Sequence, residues 1–163
     1  EMNAPLRPAE WVLDLNEPIV ALAGSPDGRL IAALGTEGSA WVVEASTGRR
    51  LHTFQAHEGG GFRLVWGPSG TSFATAGQDG QVRLWNALTG TQTESLPMPS
   101  AWVEQLTASP VGDRWAAASG KTVCIGRRGG SGWTHTLGGH RSTIAGLAWS
   151  ADGRSLAVGC YGG

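Results

Sequence analysis

The chain has 163 residues, of which 15% are charged, and its formal net charge is −1 at pH 7. A chain so close to neutral lacks the basic surface that nucleic acid or an anionic membrane would require, so we predict neither as a partner. No apolar run approaches the roughly 20 residues that a membrane-spanning helix needs. The 26 glycines and 8 tryptophans instead favour a turn-rich β protein.

A repeat runs through the sequence from near its start. Residues 1–8 are predicted to be an N-terminal tail, and residues 9–13 align with the fourth strand of the later units. Beyond them, a turn proline recurs 42 residues apart, at Pro26, Pro68 and Pro110. A period of this size indicates a repeat protein. We place the repeats at about residues 14–54, 55–96, 97–137 and 138–163, with the last one truncated.

The second repeat shows most clearly what each unit contains. Apolar residues bounded by turn residues predict four short strands, over residues 64–66, 72–76, 82–85 and 92–96. The turns between them carry Pro68, Gly70, Asp79, Gly80 and Gly90, residue types that suit tight reversals of the chain. Four antiparallel strands in about 40 residues form one blade of a β-propeller. The predicted fold is therefore all-β, an incomplete arc of about four four-stranded blades.

The second repeat also resembles a known family. Residues 55–90 read QAHEGGGFRLVWGPSGTSFATAGQDGQVRLWNALTG. The early histidine, the Thr-Ala-Gly before Asp-Gly, and the Val-Arg-Leu-Trp-Asn are similar to a WD40 repeat. Residues 138–140, Gly-Gly-His, match the Gly-His opening of the same repeat, and residues 96–103 resemble a blade of G-protein β subunits. Residues 11–163 are identified as a member of the WD40-repeat β-propeller family.

The resemblance implies a structural role for four polar residues of the second repeat. In WD40 repeats, a histidine, a serine or threonine, an aspartate and a tryptophan form a hydrogen-bonded network within one blade. Here those positions are His57, Thr75, Asp79 and Trp85. A catalytic pairing of His57 with Asp79 is the alternative, which we disfavour because the structural network accounts for the same spacing.

The other three repeats depart from this network. The threonine position holds Ala33, Ala117 and Val158, the tryptophan position holds Val43 in the first repeat and Gly126 in the third, and the aspartate position holds Glu37 in the first and Gly162 in the fourth. We therefore expect these blades to rely on apolar packing, with a twist and register that the polar residues do not fix.

The histidines raise the question of a metal site. His52 and His57 are five residues apart, and so are His135 and His140. Zinc binding by these histidines is one hypothesis. The alternative is that the spacing recurs because the repeat recurs. We prefer the second explanation and predict no metal and no other cofactor.

The two cysteines lie in different repeats. Cys124 is predicted to be a small buried residue within a strand. Cys160 is predicted to lie near a hairpin turn, with no neighbour that activates its thiol. So few cysteines favour a reducing compartment. Because no apolar leader follows Glu1-Met2-Asn3, we expect a cytoplasmic protein.

The number of repeats bears on the completeness of the fold. Propellers have roughly four to eight blades, and the fourth repeat here stops in the turn before its third strand. We interpret the chain as the N-terminal half of a longer propeller. The rest of that propeller, or a second copy of the chain, would then cover the apolar faces of the end blades.

No P-loop, GxGxxG, nucleophile elbow or His-Glu-x-x-His motif is present, so we predict that the chain is not an enzyme. We predict a protein-interaction scaffold or adaptor that binds partners through the loop face of the propeller. Trp102 is the main contact candidate, because tryptophan is enriched at interface hot spots, followed by Phe62, Arg63 and Thr143. One alternative is a regulatory or ligand-sensing propeller attached to an effector domain. An enzymatic or periplasmic propeller is less favoured, although residues 25–28, Ser-Pro-Asp-Gly, occur in those families too.

Overall fold

The structure is a computed structural model that describes residues 10–162. Fourteen antiparallel β-strands form four sheets in this part of the chain, so the predicted all-β fold is confirmed. Within the same residues there is no helix long and apolar enough to cross a membrane. The predicted tail, residues 1–8, lies outside the described residues.

The first two sheets have four strands each, and in both the strands follow one another in chain order. The first sheet contains β1 (Ile19–Gly24), β2 (Leu30–Gly35), β3 (Ser39–Glu44) and β4 (Arg50–Gln55). The second sheet contains β5 (Gly61–Trp66), β6 (Ser72–Gly77), β7 (Gln81–Asn86) and β8 (Thr91–Pro97).

The third sheet repeats this order, and the fourth has two strands among the described residues. The third sheet contains β9 (Gln105–Ala108), β10 (Arg114–Ser119), β11 (Thr122–Arg127) and β12 (Trp133–Leu137). The fourth contains β13 (Ile144–Trp149) and β14 (Leu156–Cys160). The first strands of neighbouring sheets lie against one another, so the sheets form an open arc around these strands. The glycine-rich residues 128–132 connect β11 to β12 as a hairpin loop.

Tight turns at both ends of the strands keep each sheet antiparallel. In the β6–β7 hairpin, Gly80 has a φ of +72°, a left-handed conformation that glycine adopts without a steric penalty. The preceding Asp79 closes the turn, because its carboxylate accepts a hydrogen bond from the Gln81 amide at 3.2 Å. The Asp-Gly pair is thus the local cause of this reversal.

Apolar side chains between neighbouring sheets form the core. Between the first and second sheets, Phe54 stacks on Trp85, with ring centroids 4.2 Å apart. The Trp66 indole of the second sheet donates to the Ala23 carbonyl of the first sheet at 2.9 Å. Trp133 of the third sheet makes a similar bond to the Pro97 carbonyl of the second, at 2.8 Å. These two junctions therefore combine apolar packing with a hydrogen bond.

The junction between the third and fourth sheets is built differently. Trp149 occupies the position in its repeat that Trp66 occupies in the second. Its indole nitrogen is buried and has no hydrogen-bond partner among residues 10–162. Instead, the Arg114 guanidinium lies 5.2 Å from the centre of the Trp149 ring and donates to the Gly153 carbonyl. A cation–π contact replaces the tryptophan hydrogen bond here.

A β-bulge recurs on the first strand of three sheets. The pairing register shifts between Ile19 and Ala21, between Gly61 and Arg63, and between Ile144 and Gly146. In the second sheet the residue within the bulge is Phe62. A bulge leaves its extra residue outside the ladder and turns that side chain away from the regular pleat.

The predicted strand over residues 9–13 is not present. Residue 9 lies outside the described residues, and residues 10–15 contain no strand. Trp11 instead lies across the end of the first sheet, where its indole donates to the Ala45 carbonyl at 2.9 Å and covers Gly48. Within the described residues no strand pairs with this segment. The Trp11 side chain instead holds it against the first sheet.

Candidate functional site

The four polar residues predicted to form a network lie in one connected chain of contacts. The His57 ring bridges the loop before β5 to the second sheet: Nδ1 is 2.9 Å from Asp79 Oδ1, and Nε2 is 2.8 Å from Thr75 Oγ1. Trp85 Nε1 donates to the same Thr75 oxygen at 2.9 Å. His57 is 1% exposed and Thr75 fully buried. The network therefore joins the loop, β6, the hairpin turn and β7.

These contacts are compatible with a neutral histidine. Since the Trp85 N–H is a donor, the Thr75 hydroxyl accepts from it and can donate its own proton to His57 Nε2. In the neutral tautomer that carries its proton on Nδ1, His57 donates to Asp79. Burial lowers the pKa of His57 below its usual 6.5 and outweighs the opposing hydrogen bond to Asp79. A neutral, fully partnered ring suits a structural role.

Arg83 is a member of this cluster that the sequence analysis missed. Its Nη1 donates to Asp79 Oδ2 at 2.6 Å and to the Ala56 carbonyl at 3.0 Å. Burial raises the pKa of the Asp79 carboxyl, but the hydrogen bonds from Arg83 and His57 outweigh it, and the pKa lies below its usual 3.8. The four-residue spacing between Asp79 and Arg83 could have indicated this ion pair. Asp79 lies in the turn that leads into β7, the strand that contains Arg83.

The first and third sheets, which lack this network, make polar contacts to their preceding loops that the sequence analysis did not predict. In the first sheet Gly35 has no side chain, and the Glu17 carboxylate fills that space while accepting from the Glu37 amide at 2.6 Å. In the third sheet the same repeat position is Ser119, which is 1% exposed. Its hydroxyl lies 2.8 Å from the Ala101 carbonyl and 3.0 Å from that of Ser100. Both sheets thus hold their preceding loop by a polar contact of another kind.

The histidines do not gather at one place. The His52 ring contacts the Leu88 carbonyl at 2.9 Å, and the His135 ring contacts the Thr134 hydroxyl at 3.0 Å. Across residues 10–162, no three His, Cys, Asp or Glu side chains lie close enough together to hold a metal ion.

The predicted contact residue Trp102 lies on the loop face, and 58% of it is exposed. Its ring centroid is 6.0 Å from that of Phe62, and the two planes are inclined at 56°. The exposed Arg63 follows Phe62 and donates to its carbonyl at 3.0 Å. Thr143 occupies the corresponding position before β13, where its carbonyl accepts from the Tyr161 amide. The structure therefore pairs Phe62 with Trp102 and places Arg63 beside them.

The backbone at Trp102 is in an uncommon conformation. Its φ is +66°, a value that few residues other than glycine adopt. The segment is held there because the Trp102 amide donates to the Gln78 carbonyl at 3.4 Å and the Val103 amide donates to the Gly77 carbonyl at 3.1 Å. The second sheet thus fixes the loop that carries this indole.

Comparison with known proteins identifies the repeat. The family described as WD domain, G-beta repeat matches residues 48–86 and 132–163. A guanine nucleotide-binding protein subunit beta from Nicotiana tabacum is 30% identical over 106 residues, which cover 60% of this chain and 28% of that protein. Protein HIR1 from Cryptococcus neoformans is 28% identical over 137 residues, covering 77% of this chain and 16% of that protein. The chain therefore spans much less than half the length of these relatives.

A solved structure supports the same assignment for the fold. The crystal structure of RRP9 WD40 repeats superposes with a TM-score of 0.77 at 18% identity, over 83% of this chain and 43% of that one. Its likeness extends over all but a small part of the described arc, and the matched family segments include the loop histidine of the second repeat and the opening of the fourth. The repeated sheets and the buried network of the second one agree with these matches: the chain contains WD40 repeats and has the fold of the WD40-repeat structure that it resembles.

Proposed function

We propose that this chain is a protein-binding module, a scaffold or adaptor, and that it binds its partners through the loop face around Trp102. The observation that carries the proposal is the contact between the exposed Trp102 and the half-buried Phe62, which come from neighbouring blades. Large aromatic side chains dominate the energy of protein interfaces, and tryptophan is enriched at their hot spots.

The way in which both rings are presented supports this proposal. Phe62 lies in a β-bulge, and bulges are found where a strand redirects a side chain. Trp102 has a positive φ, a conformation that costs of order 1–3 kcal/mol and is concentrated at functional sites. Two independent backbone irregularities thus present two aromatic rings to the same surface.

The surroundings favour a protein partner. Arg63 is exposed beside the ring pair, and Glu58 is exposed on the preceding loop, so both signs of charge are available for a polar rim. The net charge of −1 offers no broad basic surface for a phosphate backbone. Both cysteines are unpaired, which supports our placing the protein in the reducing cytoplasm.

The test is a selection of partners of known composition. A library of random peptides displayed on phage is selected on the immobilised chain, and enriched peptides are synthesised and titrated against the wild type and Trp102→Ala. Loss of a hot-spot indole costs about 2 kcal/mol, which is roughly a thirtyfold rise in Kd. Phe62→Ala should weaken the same peptides.

A matched control uses an exposed apolar residue at the opposite end of the strands. Leu88, in the turn between β7 and β8, is 66% exposed, and Leu88→Ala should leave the Kd within about twofold because it lies outside the proposed contact area. Peptides that bind Trp102→Ala as well as the wild type would show that the surface lies elsewhere. Circular dichroism checks that each variant is folded.

A further inference from the structure

The loop between β11 and β12 is tied to the second sheet at both of its ends. At one end the Gly129 amide donates to Glu94 Oε1 of β8 at 2.7 Å. At the other end the Trp133 indole donates to the Pro97 carbonyl at 2.8 Å. Ser131 lies midway between these two ties.

Ser131 is exposed because of the turn in which it lies. A Cβ added at Gly129 or Gly132 would meet no atom within 4 Å, so the tip of the loop does not pack on the rest of the chain. The corresponding turn of the second sheet, which has a complete sheet on each side, exposes Leu88 and Thr89 in the same way. The exposure of Ser131 is therefore a property that this turn has in complete neighbours too.

Two arginines come just before this serine. Arg128 is three residues before Ser131 and Arg127 is four residues before it. Arg127 is exposed, and Arg128 is held only by a long contact, 3.4 Å, from Nη1 to the Ser72 hydroxyl. Serine kinases that select basic segments bind an arginine three residues before the serine with their own carboxylates, and such pairs are strong and directional.

The chain contains an internal contrast at the same spacing. Thr53 follows Arg50 by three residues and is exposed, but it lies within β4, where it pairs with Trp41 of β3. A kinase takes its substrate as a separate segment, so Thr53 could enter the cleft only if β4 left the sheet. The loop around Ser131 contains three glycines, which let it change conformation at little steric cost.

We propose that Ser131 is a phosphorylation site, the acceptor for a serine kinase that selects basic segments. The kinase transfers the γ-phosphoryl group of ATP to Ser131 Oγ. The bond from the γ-phosphorus to the bridging oxygen of ADP breaks, a bond to Oγ forms, and the hydroxyl proton passes to a base of the kinase.

The modification acts at the junction between two sheets. Ser131 and Glu94 line the same cavity of about 400 Å³, and the phosphate adds roughly −1.5 to −2 charges at pH 7. Like-charge repulsion between the phosphate and the Glu94 carboxylate breaks the hydrogen bond to Gly129 and loosens the loop.

The first test uses ATP, Mg²⁺ and a purified serine/threonine kinase that requires arginine three residues before the acceptor. Mass spectrometry of the folded chain should find phosphate on Ser131 and not on Thr53, whereas free peptides of residues 46–57 and 124–135 should both be modified. A folded chain that stays unmodified at Ser131 would overturn the proposal. Equal modification of Thr53 in the folded chain would also contradict it, because the kinase would then not be selecting the loop.

The second test isolates the arginine and the carboxylate. Arg128→Gln should slow phosphorylation of Ser131 at least about tenfold, the loss expected for one charge-assisted hydrogen bond. Arg154→Gln, which changes another exposed arginine, should leave the rate unchanged. Phosphorylation should speed hydrogen exchange at the Gly129 amide in the wild type and have little effect in Glu94→Gln. An unchanged rate in Arg128→Gln would exclude recognition of the arginine, and unchanged exchange in the wild type would exclude release of the loop.

Discussion

The absent side chain of Gly77 allows the His57 ring to lie against β6. A Cβ at residue 77 would overlap Cγ and Nδ1 of that ring, so the histidine could not reach Asp79 and Thr75 together. A glycine in the middle of a sheet usually weakens it. Here the weakness is offset by a buried network in which each ring nitrogen has a partner.

Gly77→Ala should therefore destabilise the chain. The added methyl group overpacks a close contact, which typically costs about 1–3 kcal/mol, and it displaces the ring from its hydrogen bonds. Urea unfolding followed by circular dichroism measures the change. Gly146→Ala is the control, because a Cβ there meets no atom within 4 Å and should change the free energy of unfolding little. Equal stabilities for the two variants would contradict this account.

Asp79→Ala should also lower the free energy of unfolding, by roughly 1–3 kcal/mol. The Asp79 carboxylate accepts from His57, Arg83 and the Gln81 amide, so its loss leaves partly buried donors without their acceptor. The exposed Asp113 serves as the matched control, since Asp113→Ala removes the same charge from the surface. We expect Asp79→Ala to lower the free energy of unfolding and Asp113→Ala to leave it unchanged. An unchanged free energy of unfolding for Asp79→Ala would show that the network does not determine stability.

Stability should fall on mild acidification because of His57. Its folded-state pKa lies below the usual 6.5, so the unfolded chain binds more protons, and stability decreases as pH falls below 6.5 until the folded state is itself protonated. The slope is at most about 1.4 kcal/mol per pH unit for one group. Urea unfolding at pH 7.5 and 5.5 measures it. His57→Gln should flatten this dependence and His135→Gln should not; a wild-type stability that rises toward pH 5.5 would be the opposite of what burial predicts.

Ser119→Ala should loosen the loop that carries Trp102. The Ser119 hydroxyl contacts the carbonyls of Ser100 and Ala101, and a lost hydrogen bond of this kind costs about 0.5–1.5 kcal/mol. Hydrogen exchange at the amides of Trp102 and Val103 should become faster. The exposed Ser131 provides the control substitution, Ser131→Ala. Unchanged exchange at both amides would mean that other contacts hold the loop.

The 163-residue chain by itself should associate in solution. Leu22 on β1 is 68% exposed, beside Val20 at 40% and Ile19 at 39%, and β14 offers an unpaired edge within the described residues. Covering apolar surface is favourable by about 25 cal/mol per Å². Light scattering should show a mass that rises with concentration, and Leu22→Lys should reduce it more than Leu88→Lys. A monodisperse monomer with a sharp melting transition would show that the open arc is self-sufficient.

The sequence predicts the sheets and the network of the second repeat because both follow a regular spacing. Turn glycines and alternating apolar residues locate β5 to β8 to within a few residues, and the resemblance locates His57 and Asp79. The sequence analysis missed Arg83 because the strand pattern does not show that its side chain turns toward Asp79 and becomes partly buried. The sequence analysis also missed Glu17 and Ser119. Glu17 fills the space beside Gly35, and Ser119 contacts the carbonyl groups of the preceding loop. Both contacts join residues that only the folded chain brings together.

The backbone conformations that position Trp102 and Phe62 on the loop face could not be predicted from the sequence either. Tryptophan gives no signal for a positive φ, and a bulge at Phe62 is a property of the pairing between β5 and β6. The sequence identified these residues as contact candidates from residue type and repeat position. Their relative placement depends on the packing of two blades, which no local pattern encodes.

The junctions between neighbouring sheets differ in their hydrogen bonds, and this difference predicts which sheet unfolds first. Repeat proteins gain much of their stability from the interfaces between neighbours and lose structure first where an interface is weakest. Trp66 and Trp133 fasten the first three sheets by hydrogen bonds to neighbouring backbone, whereas the Trp149 indole nitrogen is buried without such a partner in residues 10–162. We therefore expect the fourth sheet, which Arg114 joins to the third without an indole hydrogen bond, to open first in hydrogen exchange.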